Sequence, residues 1–91
     1  MSTKEQVLEE VKIDDLLQNE SIIVLYNDDV NTFDHVINTL VRVCKHEPLQ
    51  AEQCALIVHY KGKCDVKTGN YKDLVPMCTA LLDAGLSAEI E

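Results

Sequence analysis

Apolar residues recur along this chain with two periods, one suited to strands and one to helices. The run Ser21-Ile22-Ile23-Val24-Leu25-Tyr26 is continuous, rich in β-branched residues, and stops at Asn27-Asp28-Asp29. Its length and abrupt end predict a central strand followed by a turn, in which Asn and Asp side chains bond to nearby backbone. Phe33, Val36, Ile37, Leu40, Val41 and Cys44 then follow at helical spacing. Asn31 or Thr32 caps that helix, and Asp34 sits in its first turn, where the dipole favours negative charge. The helix is expected to end at Lys45 or His46, because Pro48 disfavours its continuation while suiting the first turn of the next helix.

That second helix runs from about Leu49 to Tyr60. Cys54, Ala55, Leu56, Ile57 and Val58 make it apolar almost all round, which predicts burial on more than one side, and Gly62 is its stop. Lys63 to Lys67 alternates, with Cys64 and Val66 on one face, and reads as a strand; Thr68-Gly69-Asn70 reads as a turn. Residues 71–84 form a third helix carrying Leu74, Val75, Cys78, Leu81 and Leu82. Pro76 lacks the donor a helix interior needs, so the helix is expected to begin nearer Asp73 or Leu74, with Pro76 in its first turn. Gly85 ends it, and residues 86–91 close the chain as a strand.

The order β-α-α-β-α-β predicts an α+β fold: a small antiparallel three-stranded sheet with three helices packed on one face. Residues 1–20 are read as a mobile or partly helical N-terminal extension, in which Val7, Leu8, Val11, Leu16 and Leu17 hint at helical spacing among many charges. Residues 21–91 form the core domain. The chain has 91 residues, a length that favours one domain. Apolar residues at 46% and charged residues at 26% are ordinary for a globular protein.

The net charge of −8 repels phosphate backbones, so nucleic acid is not an expected partner. Residues 1–10 lack a signal-peptide core, and no apolar run approaches the ~20 residues that span a bilayer. A cytoplasmic monomer without membrane contact is expected. Cys44, Cys54, Cys64 and Cys78 form no C-x-x-C pair, and His46 and His59 fall on different elements. These cysteines read as small, reduced, mostly buried thiols, with no metal and no cofactor. The rival is a metal or redox site on Cys44, His46, Cys54, His59 and Cys64, against which the ligand spacing argues.

Two stretches are unusual for a pure scaffold: Asn27-Asp28-Asp29 after the first strand, and Val58-His59-Tyr60 on the most apolar helix. Positions 55, 58, 59 and 62 share one helix face, so Ala55 and Val58 present an apolar patch beside the His59 imidazole. Phe33 and Val36 share a face of the first helix. If the two helices are neighbours, these side chains wall a pocket with Asn27, Asp28 and His59 at its mouth. On spacing alone, the alternatives are a core histidine and a helix-capping turn. No nucleophile–base–orienter set is legible, and no phosphate-binding glycine loop, so the chain is not expected to be an enzyme.

The run from Leu25 through Asn27-Asp28-Asp29 to Ile37 resembles the Asn-Asp-Asp segment of ClpS adaptors. Val58-His59-Tyr60-Lys61-Gly62-Lys63 is similar to their second signature, and the interval between the two fits without a gap. Residues 85–91 look like their last strand. The resemblance spans residues 21–91 and implies a cytoplasmic adaptor. Such a protein binds the free N-terminus of substrates beginning with Leu, Phe, Tyr or Trp and delivers them to the N-terminal domain of a Clp AAA+ unfoldase. It implies that Asn27, Asp28 and His59 hold the α-amino group and first peptide unit. Leu25, Asn31, Phe33, Val36, Ala55, Val58 and Leu86 would line the side-chain pocket. It also implies that the N-terminal extension helps hand over the substrate. The alternative within the fold is an interaction domain that modulates the unfoldase without recognising N-terminal residues.

The chain departs from the family pattern in two ways. Family members usually carry Met at the positions of Phe33 and Ala55, and Thr then Pro at those of Asn31 and Thr32, so an altered preference among large apolar residues is expected. Between Lys63 and Leu86 the chain is several residues shorter, in a region that supplies unfoldase contacts, including an acidic residue aligned near Asn70. Asn70, Lys72 and Asp73 are the candidates for that contact here.

The implied chemistry is physically coherent. An α-amine has a pKa of roughly 7.7–8.0 and is largely cationic near neutrality. Hydrogen bonds to a charged group are worth about 1.5–3 kcal/mol each, and an internal residue without the amine leaves its partners unpaired at about 1–3 kcal/mol apiece. End and middle of a chain are therefore told apart by polar groups, while filling the pocket with Leu or Phe adds about 1.5–3 kcal/mol.

Overall fold

The computed structural model describes residues 20–91; the expectations for residues 1–19 fall outside the described residues. The elements are β1 (Glu20–Tyr26), α1 (Phe33–Cys44), α2 (Pro48–Lys61), β2 (Lys63–Asn70), α3 (Tyr71–Asp83) and β3 (Ser87–Ile90). The apolar run forms the central strand of an antiparallel sheet ordered β2-β1-β3. The α+β class and element order are those expected from the sequence.

Ile23 and Leu25 point to the same side of β1, since side chains alternate along a strand. They join Val66, Ala88 and Leu86 in one core with Leu40 and Cys44 of α1, Ala51, Cys54 and Val58 of α2, and Leu74, Cys78 and Leu81 of α3. One cluster shared by all three helices places them on the same face of the sheet. Among the described residues, no helix is long and apolar enough to cross a membrane.

Thr32 is the residue that caps α1, its hydroxyl accepting from the His35 N–H at 3.1 Å. The helix ends at Lys45, which turns left-handed at φ 60°. The β1–β2 register shifts between Ile23, opposite Lys67, and Val24, opposite Asp65, so Val66 is an extra residue in β2. A bulge leaves such a residue outside the ladder. Its carbonyl is taken by Nε2 of buried His46, at 2.5 Å, which ties the end of α1 to the sheet.

Three expectations are corrected. Thr68-Gly69-Asn70 is the end of β2, not a turn: these residues pair with Ile22, Ser21 and Glu20, and a partner strand that long overrides local turn preference. Helix α3 therefore starts at Tyr71, leaving Pro76 inside it rather than in its first turn. Pro76 is exposed, so the Lys72 carbonyl that loses its helical donor lies on a solvated face. Lastly, α2 buries one face only. Ala51, Cys54, Ala55 and Val58 are buried, while Leu49, Leu56, Ile57 and Tyr60 remain exposed. A single helical layer on a three-stranded sheet has nothing to cover the outer side of α2.

Candidate functional site

The turn after β1 is held from three directions. The Asn27 N–H donates to the Gly62 carbonyl at 2.9 Å. Gly62 ends α2 at φ 93°, its N–H bonded to the Val58 carbonyl, a conformation that costs glycine little. The link brings Asn27 beside the His59 end of α2. Within the turn, Oδ1 of Asp28 accepts the N–H groups of Val30 and Asn31, each at 3.0 Å, an Asx-type arrangement. The Asn31 side-chain amide donates to both Asp28 oxygens at 2.9 Å and to the Gly85 carbonyl at 2.8 Å. The Ser87 hydroxyl reaches Asp28 Oδ2 at 3.4 Å.

Around this turn lies a recess of about 300 Å³ between α1, α2 and the sheet, a volume at the lower end for sites that take small ligands. Leu25, Phe33, Val36, Ala55, Val58 and Leu86 line its apolar part, and Asn27, Asp28, Asn31 and His59 its polar part. All ten residues proposed for amine and side-chain binding thus meet in one place. Leu25, Ala55, Val58 and Leu86 are buried, whereas Phe33 and His59 are exposed at the mouth. Their rings lie 5.2 Å apart at 56°, so α1 and α2 meet across the opening, and the His59 ring is 5.0 Å from that of Tyr60. Among the described residues neither ring nitrogen of His59 has a hydrogen-bond partner.

Tyr26, Asp29 and Thr32 also line the recess, and sequence reasoning did not assign them. Tyr26, Asp29 and Thr32 adjoin predicted residues, and that adjacency was the available signal. Gly85 accepts from Asn31 and Ser87 donates to Asp28, each from more than fifty positions away, and no local pattern announces that. Asn70, Lys72 and Asp73, the candidates for unfoldase contact, are exposed. They do not join the recess: Asn70 pairs with Glu20, at the opposite end of β1 from Tyr26.

Electrostatics favour an anionic rim. Burial pushes the Asp28 carboxyl up, but the hydrogen bonds from Asn31, Val30 and Ser87 outweigh it and hold the group below the usual aspartate value. The Tyr26 phenol donates to the Glu91 carboxylate. That bond, burial, and the charges of Glu91, Glu89 and Asp65 push it up to about 12, so it stays protonated near neutrality.

The four cysteines are free, with only Cys64 half-buried. Burial pushes Cys44 up to about 11 against the opposing charge of Lys67, and Cys78 upward as well. Burial, then the neighbouring Cys54 thiol, push Cys64 up to about 12. A thiol raised in this way is a poor nucleophile near neutrality. Among the described residues no group of three or more His, Cys, Asp or Glu is placed to hold a metal ion. His46 is instead spent on the bulge carbonyl.

Fold and recess together define a small α+β domain built around a hollow with an apolar floor and an anionic, hydrogen-bonding rim. Residues 18–89 match the family model for ClpS, described as ATP-dependent Clp protease adaptor protein ClpS. The chain belongs to the ClpS family and is an adaptor of the Clp protease. A search of curated proteins finds no match to this chain.

Proposed function

We propose that this adaptor captures proteins by a free N-terminus carrying a large apolar first residue, and delivers them to the N-terminal domain of a Clp AAA+ unfoldase for degradation. The observation that carries this reading is the joining of an apolar hollow to the polar side chains of Asn27, Asp28 and His59 at its mouth. The first side chain enters among Phe33, Val36, Ala55, Val58 and Leu86. The cationic amine meets the Asn27 side-chain carbonyl, the negative charge of the Asp28 carboxylate and a ring nitrogen of His59. No bond in the substrate is broken; the chemistry is recognition alone.

The polar rim supplies the discrimination. An internal residue brings an amide where the ammonium should be, leaving acceptors unpaired at about 1–3 kcal/mol each. An exposed apolar loop offers the same side chain without that compensation. Phe33 opposite Ala55 reshapes the hollow, so the order of preference among Leu, Phe, Tyr and Trp is expected to be this chain's own.

The decisive experiment is a paired calorimetric titration with a Leu-initiated peptide, free and N-acetylated. Binding of the free form, lost on acetylation, is the expected result. Failure of every free peptide beginning Leu, Phe, Tyr, Trp or Ile to bind would remove N-terminal recognition and leave a domain that modulates the unfoldase by contact alone.

A further inference from the structure

We propose that Asn31 is the positioning residue that couples recognition of the amine to recognition of the side chain, by holding Asp28 and the Gly85–Ser87 segment in one hydrogen-bonded unit. The inference rests on the reading that the recess takes a free N-terminal residue.

The geometry is specific to an amide. A carboxamide carries two N–H donors in one plane, whereas a threonine hydroxyl carries one donor. Here that amide nitrogen serves both Asp28 oxygens and the Gly85 carbonyl together.

The consequence for Asp28 is orientation. Its Oδ1 already accepts from Val30 N, Asn31 N and the Asn31 amide. Its Oδ2 has one short partner, Asn31, and one long one, Ser87. A carboxylate oxygen offers about two lone-pair sites, so Oδ1 is filled, and an ammonium gains a site on Oδ2 by displacing the long bond from the rotatable Ser87 hydroxyl.

The consequence for the floor is placement. Gly85 is left-handed at φ 90°, where the chain leaves α3. The next residue, Leu86, is 4% exposed and lines the recess, and the one after it is Ser87. Asn31 therefore fixes the residue before the floor while the Asp28 it orients receives the residue after it. Rim and floor move as one piece. The Ala84–Gly85 turn has a separate anchor, since Nε2 of His35 bonds the Ala84 carbonyl at 2.8 Å, so loss of the Asn31 amide leaves the turn attached.

The test compares Asn31→Ala and Asn31→Thr with His35→Ala, which removes the other turn anchor without touching Asp28. Titration with free and acetylated Leu-initiated peptides is paired with an NMR titration of the Asp28 carboxyl. Asn31→Ala is expected to weaken free-peptide binding by about tenfold or more, to shrink the free-to-acetylated ratio, and to raise the Asp28 titration towards the ordinary aspartate value. Asn31→Thr is expected to show the same changes in smaller measure, and His35→Ala to leave the ratio and the Asp28 titration as in the parent. If the parent discriminates free from acetylated peptide, and both Asn31 variants fold, keep that ratio and leave Asp28 unmoved, the coupling is overturned while the function stands. If the parent itself does not discriminate, the function reading fails and the coupling with it.

Discussion

His59 and His46 are the same side chain put to opposite uses, and burial decides between them. His59 is exposed and set at a tilt beside Phe33, with both ring nitrogens unpartnered among the described residues. Replacing it with alanine is expected to weaken peptide binding by roughly 10- to 100-fold, the worth of one bond to a charged group, with an unchanged denaturation midpoint. His46 is 5% exposed and donates to the bulge carbonyl of Val66. His46→Ala leaves that carbonyl unpaired in the core and is expected to cost about 1–3 kcal/mol, read from urea unfolding, with peptide affinity in the folded protein intact. Asp28 adds a pH dependence. Its folded carboxyl lies below its unfolded value of about 3.9, so the stability it contributes is whole above that value and is lost as pH falls through the lower folded one. The stability difference between the parent and Asp28→Asn is therefore expected to stay flat between neutrality and about pH 5, and to shrink on further acidification.

Elements show where local preference yields to pairing. The period of α1 and its Thr32 cap are legible in the sequence, because a cap and a stripe are local signals. The end of β2 is not: Thr68-Gly69-Asn70 has turn composition, but β1 reaches back to Glu20 and pairs it. Extending β2 in turn moves the start of α3 to Tyr71 and strands Pro76 in the helix. Restoring the donor with Pro76→Ala is expected to stabilise the protein by about 1–3 kcal/mol, the interior-proline penalty less the entropy that proline removes from the unfolded chain. A thermal or chemical midpoint that falls instead would show that this proline is matched to its surroundings. Helix α2 teaches the complementary lesson. An apolar run says that a helix is able to be buried all round, and only the number of layers says how much of it is.

Across the whole molecule, the recess and the Asn70–Asp73 surface lie at opposite ends of β1, roughly 20 Å apart at the rise of a strand. On the proposed function, such spacing would let one domain hold a substrate end and an unfoldase together. The double variant Lys72→Ala, Asp73→Ala is expected to weaken docking to the unfoldase N-terminal domain while leaving peptide affinity unchanged. Pull-down and calorimetry on the same preparation separate the two. A drop in peptide affinity would mean that the surfaces are not independent.

Legible along the chain is whatever repeats or signals locally: the strand and helix periods, the element order, and the two short signatures whose residues meet in the recess. Periodicity and turn chemistry act over a few residues, so they can be read along the chain. Folding adds the contacts between distant segments: the clasp of Asn31 on Gly85, the hydroxyl of Ser87 on Asp28, the bulge at Val66 answered by His46, and the solvated face of α2. Each depends on which segments the folded backbone sets side by side, and hydrogen bonds are satisfied by whatever group arrives there, with no trace in the spacing of either partner.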